Sequence, residues 1–277
     1  MKFTKMHGIG NDYIYFNCFE EKIDNPEELS IRLSDRHFGI GGDGIVLIMP
    51  SEIADFRMRM FNADGSEGKM CGNATRCIGK YVYEKGLTDK TRITLETLSG
   101  IKVLDFDIKD GIVEKVTVDM GKAVFTAKDV PVISETDEVV EEELTVGDRT
   151  DKITCVSMGN PHCVIFTEGI DSLDLEKIGP GYENNAKFPE RINTEFVEYI
   201  DSSTLKMRVW ERGSGETLAC GTGACATVSA AVKTGRCKAD EFITVKLIGG
   251  DLEVMYKSNG TVIMKGPAAF SFEGEVK

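Results

Sequence analysis

Apolar residues along this chain come in short runs set off by Gly, Asn, Asp and Pro, the pattern of a strand-rich protein. Strands are predicted over 13–18, 44–49, 56–62, 92–97 and 101–108, and again over 162–167, 194–200, 205–211, 242–248 and 252–256. Two segments break the rhythm. Residues 73–85 and 222–234 read as helices, and each stops at a glycine, Gly86 or Gly235, that suits a left-handed helix end. The second, Thr-Gly-Ala-Cys-Ala-Thr-Val-Ser-Ala-Ala-Val, has almost no polar face, and a helix apolar all round must be surrounded by protein. Each half of the chain is thus expected to be a curved sheet wrapped around one buried helix.

The two halves share more than a rhythm. Met58-Arg59-Met60-Phe61 resembles Met207-Arg208-Val209-Trp210 at an offset of 149 residues. The same ungapped offset carries Gly10-Asn11 to Gly159-Asn160, Glu67 to Glu216, and Cys71-Gly72 to Cys220-Gly221. It also relates Gly86 to Gly235, Gly100 to Gly249, and the hairpin-prone Asp110-Gly111 to Asn259-Gly260. So many turn residues in one register point to internal duplication. The expected fold is α/β (α+β): two pseudo-symmetric homologous domains, each a strand-rich, barrel-like sheet around a central buried helix. The boundaries expected are 1–120 and 121–265, with residues 266–277 a candidate to complete the first half. The acidic stretch 135–143 lies between the recognisable parts of the two halves.

Composition narrows the function. A 277-residue chain has ample material for two cores, and 41% hydrophobic with 29% charged residues is ordinary for a globular protein. Asp and Glu number 46 against 33 Lys and Arg, a net charge of −13 that repels phosphate backbones and anionic lipid. Nucleic-acid and membrane partners are therefore not expected. The N-terminus, Met-Lys-Phe-Thr-Lys-Met-His-Gly, has no signal-peptide core, and no run approaches the ~20 apolar residues of a membrane span. A cytoplasmic location follows, where the eight cysteines would stay reduced. With three histidines and no Cys-x-x-Cys spacing, a metal centre has little support.

Candidate chemistry lies at the helix starts. Cys71 and Cys220 sit at the mouths of the two central helices, in Met70-Cys71-Gly72-Asn73 and Ala219-Cys220-Gly221-Thr222. Unpaired backbone N–H groups and the positive dipole end lie there, a setting that lowers a thiol pKa from about 8.5 toward neutrality. The glycines allow close approach of an anion, and Asn73 and Thr222 suit the helix start. Two such termini facing one another would hold a carboxylate without lysine or arginine. Equivalent thiols on opposite faces of one carbon could also invert it, one as base and the other as acid. A single cysteine beside glycine is more often packing. Two at equivalent positions of a repeat favour function. Cys77 and Cys225, inside the helices, and Cys18, Cys155 and Cys163, in or beside strands, read as core residues.

At these residues the sequence resembles the diaminopimelate epimerase family, within a wider fold group that includes proline racemase. The matching stretches are His7-Gly-Ile-Gly-Asn-Asp12, Phe61-Asn-Ala-Asp-Gly65, Met70-Cys-Gly-Asn-Ala-Thr-Arg76, Gly159-Asn-Pro-His162, Arg191-Ile-Asn-Thr194, Glu211-Arg-Gly213 and Ala219-Cys-Gly-Thr-Gly-Ala224. They span nearly the whole chain in the family's order. The resemblance implies an isomerase that converts LL- to meso-2,6-diaminopimelate in lysine and peptidoglycan synthesis, with no cofactor, neither pyridoxal phosphate nor metal. It implies that Cys220 accepts the proton in that direction and Cys71 donates one. Gly72, Asn73, Gly221 and Thr222 would bind the reacting carboxylate. Asn11, Asn62, Asn160, Asn193 and Arg212 would read the far end of the substrate, while His162 and Glu211 would adjust the thiols and orient the ammonium. A homodimer is the candidate assembly. Gly44 departs from the pattern, because many relatives carry glutamine there.

Taken without the resemblance, several of these residues have plainer readings. An Asn after Gly, as at 11 and 160, is more often a turn residue than a ligand. Asn62 and Asn193 pass as strand ends, Glu211-Arg212 as a surface ion pair of little worth, and His162 as a core histidine. The nearest rival function is a proline racemase or hydroxyproline epimerase, whose first motif usually continues Cys-Gly-His. A thiol redox or metal-storage protein would also use many cysteines, but their scatter here argues against it.

Overall fold

The computed structural model describes residues 1–276, so Lys277, the last residue of the segment expected to complete the first half, lies outside the described residues. The chain divides into two compact units, one of Met1–Asp119 together with the chain from Lys265 onward, the other of Met120–Met264.

The first unit runs β1 (Lys2–Gly8), β2 (Asn11–Asn17), α1 (Pro26–Ser34), β3 (Gly44–Met49), β4 (Phe56–Asn62), β5 (Glu67–Gly68), α2 (Gly72–Glu84), β6 (Arg92–Thr97), β7 (Gly100–Lys109) and β8 (Ile112–Lys122). From β1 the sheet order is β1, β2, β3, β4, β6, β7, β8, with β2–β3 and β4–β6 parallel and the remaining pairs antiparallel. The second unit contains β9 (Glu142–Val146), β10 (Arg149–Ser157), β11 (Pro161–Phe166), α3 (Leu175–Glu183), β12 (Asn193–Asp201), β13 (Thr204–Glu211), β14 (Gly215–Thr217), α4 (Gly221–Lys233), β15 (Ile243–Leu247), β16 (Gly250–Tyr256) and β17 (Thr261–Gly266). Its sheet passes β9, β10, β11, β12, β13, β15, β16, with β11–β12 and β13–β15 parallel and the others antiparallel. From β10 onward this is the same alternation as from β1 onward. The chain then returns to the first unit, where β18 (Ala269–Glu275) pairs antiparallel with β1.

Each sheet encloses one helix, the mixed α/β fold read from the sequence. Eleven of the thirteen residues of α2 are buried, and ten of the thirteen of α4. α4 touches β10, β11, β12, β13, β15 and β16, which explains why it has no polar stripe. The duplication is visible in detail too. Arg59 makes a two-pronged pair with Glu67 at 2.7 and 3.0 Å, joining β4 to β5. Arg208 repeats it with Glu216 at 2.7 and 2.9 Å, joining β13 to β14.

The pattern-based reading missed several elements. β1 carries Lys5 in its middle, but that ammonium is buried against Asp12 at 2.6 Å, so the strand has two inward faces rather than an alternating one. α1 and α3 are nine residues each, too short for a clear helical period. α3 also contains Pro180 and two glycines. Gly179 is required by packing, since a Cβ there would lie 2.2 Å from the Trp210 ring. In an open helix, Gly→Ala gains roughly 0.5–1 kcal/mol. Here overpacking costs about 1–3 kcal/mol, and that term wins. Gly179→Ala is therefore expected to lower the urea unfolding midpoint. An unchanged or higher midpoint would show that Trp210 can yield.

Candidate active site

Because α2 is wrapped along its length, the polar backbone groups of its first turn are where it can meet a ligand. Cys71 is the residue at that opening. It is itself the N-cap, with extended backbone (φ −129°, ψ 121°), and its carbonyl accepts from the backbone N and the hydroxyl of Thr75, both at 2.9 Å. The sequence assigned the helix start to Asn73, but Asn73 lies one residue inside α2. There its Oδ1 takes a 2.8 Å bond from Arg76, a guanidinium with no exposed surface. The Cys71 Sγ donates to Asn11 Oδ1 at 3.4 Å. Asn11 begins β2, and its Nδ2 donates to Asp43 Oδ2 at 2.7 Å, which turns its carbonyl oxygen toward the thiol. Asp43 is held in turn by Arg36 at 3.0 Å and by the backbone N of Asp12 at 3.1 Å. Asn62 closes β4 and donates to Ser66 Oγ at 3.0 Å. At Gly44 a Cβ would stand 2.0 Å from the Phe61 carbonyl oxygen, so this backbone path leaves no room for a side chain.

The second unit repeats the placement with different neighbours. Cys220 caps α4 (φ −115°, ψ 108°), and its Sγ accepts from Gly223 N at 3.3 Å and lies 3.5 Å from Thr222 Oγ1. Thr222, like Asn73, therefore lies within the helix rather than at its start. Thr222 Oγ1 accepts from Asn160 Nδ2 at 3.3 Å, and Asn160 Oδ1 meets His162 Nε2 at 3.1 Å. His162 Nδ1 lies 2.7 Å from Glu195 Oε1, and neither side chain has exposed surface. The chain Glu195–His162–Asn160–Thr222–Cys220 is thus continuous. Glu195 was not among the residues singled out from the sequence. A glutamate flanked by Thr194 and Phe196 near the start of the predicted strand 194–200 was the available signal. It packs against the first turn of α4 so closely that a Cβ at Gly223 would lie 2.7 Å from its Oε1.

Glu211 and Arg212 do not pair with each other. Glu211 accepts from the Thr217 hydroxyl, whereas Arg212 donates from Nη1 to the Glu190 carbonyl at 2.8 Å. Asn193 is buried, donates to the Pro161 carbonyl at 2.9 Å and accepts from Arg212 N at 2.9 Å. Gly221 opens α4 and Gly72 opens α2. Among the described residues, no three His, Cys, Asp or Glu side chains converge as metal ligands. No described helix is long and apolar enough to cross a bilayer.

Electrostatics corrects one expectation. Helix-tip placement alone predicts a lowered thiol, but Cys220 is pushed well above the ordinary thiol value. Burial is the main cause, followed by the negative charges of Glu211 and Glu195, which outweigh the donors Thr222 and Gly223. Burial likewise raises Glu211, against the opposing hydrogen bonds from Thr217 and Cys220 and the nearby His162. Cys77 is raised to about 12 by burial, as a core residue would be.

A family model described as diaminopimelate epimerase matches residues 3–126 and 154–271. A diaminopimelate epimerase of Methanococcus maripaludis is 57% identical over 277 residues, covering 100% of this chain and 99% of that protein. One from Acetivibrio thermocellus is also 57% identical, covering 100% of this chain and 98% of its own. Among solved structures, a hydroxyproline epimerase from Agrobacterium vitis with bound trans-4-hydroxy-L-proline has a TM-score of 0.71 at 14% identity, covering 99% of this chain and 91% of that one. At that identity the likeness is one of fold.

The Cys220 environment yields a pH prediction. Its folded pKa lies above the unfolded value, so the neutral thiol stabilises the fold below the ordinary thiol value of 9.0, and that contribution is lost as pH rises beyond it. In ligand-free protein, iodoacetamide should alkylate Cys220 slowly until the pH exceeds 9.0. Glu211→Gln should move the onset downward by removing the negative charge that raises the thiol most. An onset at or below neutrality in the unmodified protein would refute this account of the site.

Proposed function

The chain belongs to the diaminopimelate epimerase family and is an isomerase, and on that premise we propose that it interconverts LL- and meso-2,6-diaminopimelate by a two-thiol mechanism. The observation that carries this reading is the recurrence of a capping cysteine, Cys71 and Cys220, at the same position of a buried helix in each unit. In the LL-to-meso direction the Cys220 thiolate takes the α-proton, forming its S–H bond as the Cα–H bond breaks. The electron pair passes onto the substrate carboxylate, whose growing charge is met by backbone N–H groups of the helix starts, around Gly72–Asn73 and Gly221–Thr222. Cys71 then delivers its proton to the opposite face of the carbon and is left as thiolate. Solvent exchange resets the pair. Acid and base are both supplied by the chain, so the reaction as proposed uses neither pyridoxal phosphate nor metal.

The surroundings of the thiols support this division of roles. Cys71 donates to a carbonyl oxygen, an arrangement suited to a proton donor. Cys220 has Gly223 N–H and the Thr222 hydroxyl directed at its sulfur, donors suited to a thiolate. Its pKa is high in the ligand-free protein, and the substrate ammonium, oriented by Glu211, would offset the nearby carboxylate charge and release that thiolate. Asn11, Asn62, Asn160 and Asn193 would bind polar groups of the substrate, and Arg212 would take the distal carboxylate in a two-pronged bond. This activity would sit in lysine and peptidoglycan synthesis in the cytoplasm.

Incubation with LL-diaminopimelate in deuterated water, without added cofactor, should give the meso isomer with label at one α-carbon. A requirement for added pyridoxal phosphate or metal would overturn the two-thiol mechanism. Cys71→Ala and Cys220→Ala should abolish epimerisation. Cys77→Ala and Cys225→Ala should retain it and cost on the order of 1 kcal/mol of stability. If either core variant were folded but as inactive as the other two, the assignment of the reactive cysteines would be wrong.

A further inference from the structure

Glu183 ends α3 and is nearly enclosed, with 8% of its side chain exposed, yet the proposed chemistry gives it no task. We propose that Glu183 is a positioning residue that holds Arg212 in the orientation needed to read the distal carboxylate of the substrate. The inference rests on the reading of Arg212 as the residue that binds that carboxylate.

The two oxygens of Glu183 collect three donors. Oε2 accepts from the Trp210 indole N–H at 2.7 Å, while Oε1 accepts from Gly213 N at 2.9 Å and from Arg191 Nη1 at 3.0 Å. Trp210 and Gly213 bracket Glu211 and Arg212, so one carboxylate grips the turn on both sides of the proposed ligand. Arg191 lies two positions before Asn193, whose Oδ1 accepts from Arg212 N at 2.9 Å and grips the middle of the same turn. Gly213 takes φ +77°, and Ser214 N closes the turn onto the Glu211 carbonyl at 3.0 Å. The guanidinium of Arg212 is braced at one nitrogen by the Glu190 carbonyl. A guanidinium has five N–H donors, so that single contact leaves others to face a carboxylate.

Burying a carboxylate is costly, and an apolar residue of similar size often packs as well or better. Three charge-assisted hydrogen bonds offset that cost here, and two of them come from the turn that bears Arg212, on either side of it. Two-pronged recognition depends on angle as well as distance, so a turn that shifts loses affinity even when the arginine remains. A glutamine at 183 would offer one acceptor oxygen to three donors and would set its own NH2 group against one of them.

The test is steady-state kinetics with LL-diaminopimelate for the unmodified enzyme, Glu183→Gln, Arg212→Lys and the double variant. Folding is followed by the thermal transition of Trp210 emission, the only tryptophan of the chain. Losing hydrogen bonds to a charged group should raise KM about tenfold in Glu183→Gln, with a much smaller change in kcat. The double variant should be little worse than Arg212→Lys, because both changes act through one contact. A clamp that served stability alone would lower the thermal transition and leave KM in place, and that result overturns the proposal. So would a fall confined to kcat, or effects that simply multiply. If Arg212→Lys itself left KM unchanged, the distal-carboxylate reading would fail and the inference with it, an outcome distinguishable from failure of the clamp alone. Should Glu183→Gln not fold, Glu183→Asp keeps the charge but is too short to reach all three donors, and the same rise in KM is required of it.

Discussion

A helix enclosed by a sheet has its side surface sealed, so its polar chemistry is forced to its ends. Much about α2 and α4 follows from that, although α2 also turns two buried cations inward, Arg76 onto Asn73 and Lys80 onto the Val113 carbonyl. Their flanks are buried residues, and α4, touched by six strands, is apolar nearly all round. The first-turn N–H groups still need partners. Both helices place an extended cysteine at that point, and in α4 the sulfur itself accepts the Gly223 N–H. A packing requirement thus delivers a thiol, backbone donors and the helix dipole to one place.

Duplication then supplies a second copy of this arrangement, and divergence makes the copies unequal. The structural pairs Arg59–Glu67 and Arg208–Glu216 were kept. The equivalent asparagines were turned differently: Asn11 shows its carbonyl oxygen to Cys71, whereas Asn160 directs its amide N–H toward Thr222, next to Cys220. Asp43 imposes the first orientation and His162 suits the second. Position 62 carries Asn where its counterpart, 211, carries a carboxylate. The acid and base proposed here would need unlike surroundings, and these differences are of that kind.

The buried ionic groups are better explained by orientation than by stability. The Lys5–Asp12 ion pair gains little net free energy after desolvation, and a Glu195 carboxylate buried against the His162 ring is costly to desolvate as well. Each nevertheless fixes a neighbour: His162 is tied to Asn160, and Asp12 shares Arg36 with Asp43, which holds Asn11. Glu183 does the same for the turn that bears Arg212. Ionic side chains lie beneath the candidate site rather than only on its surface.

Local pattern determined a good deal of this. Strand rhythm, two helices ended by Gly86 and Gly235, and the offset linking Cys71 to Cys220 are all short-range properties, readable because period and turn chemistry act within a few residues. The first turn of each helix was read nearly in register, though the capping role belonged to the cysteine rather than to Asn73 or Thr222. What the sequence could not state was the electrostatic setting of Cys220. Glu195 comes from β12 and Glu211 from the end of β13, and only the sheet brings both near the start of α4. The lowered thiol expected from the helix tip gives way to a raised one, because burial and two carboxylates are tertiary effects larger than the local dipole. Lys5 inside β1 and Glu183 at the end of α3 were illegible for the same reason: their partners, Asp12, Trp210 and Gly213, are chosen by the fold and not by spacing along the chain.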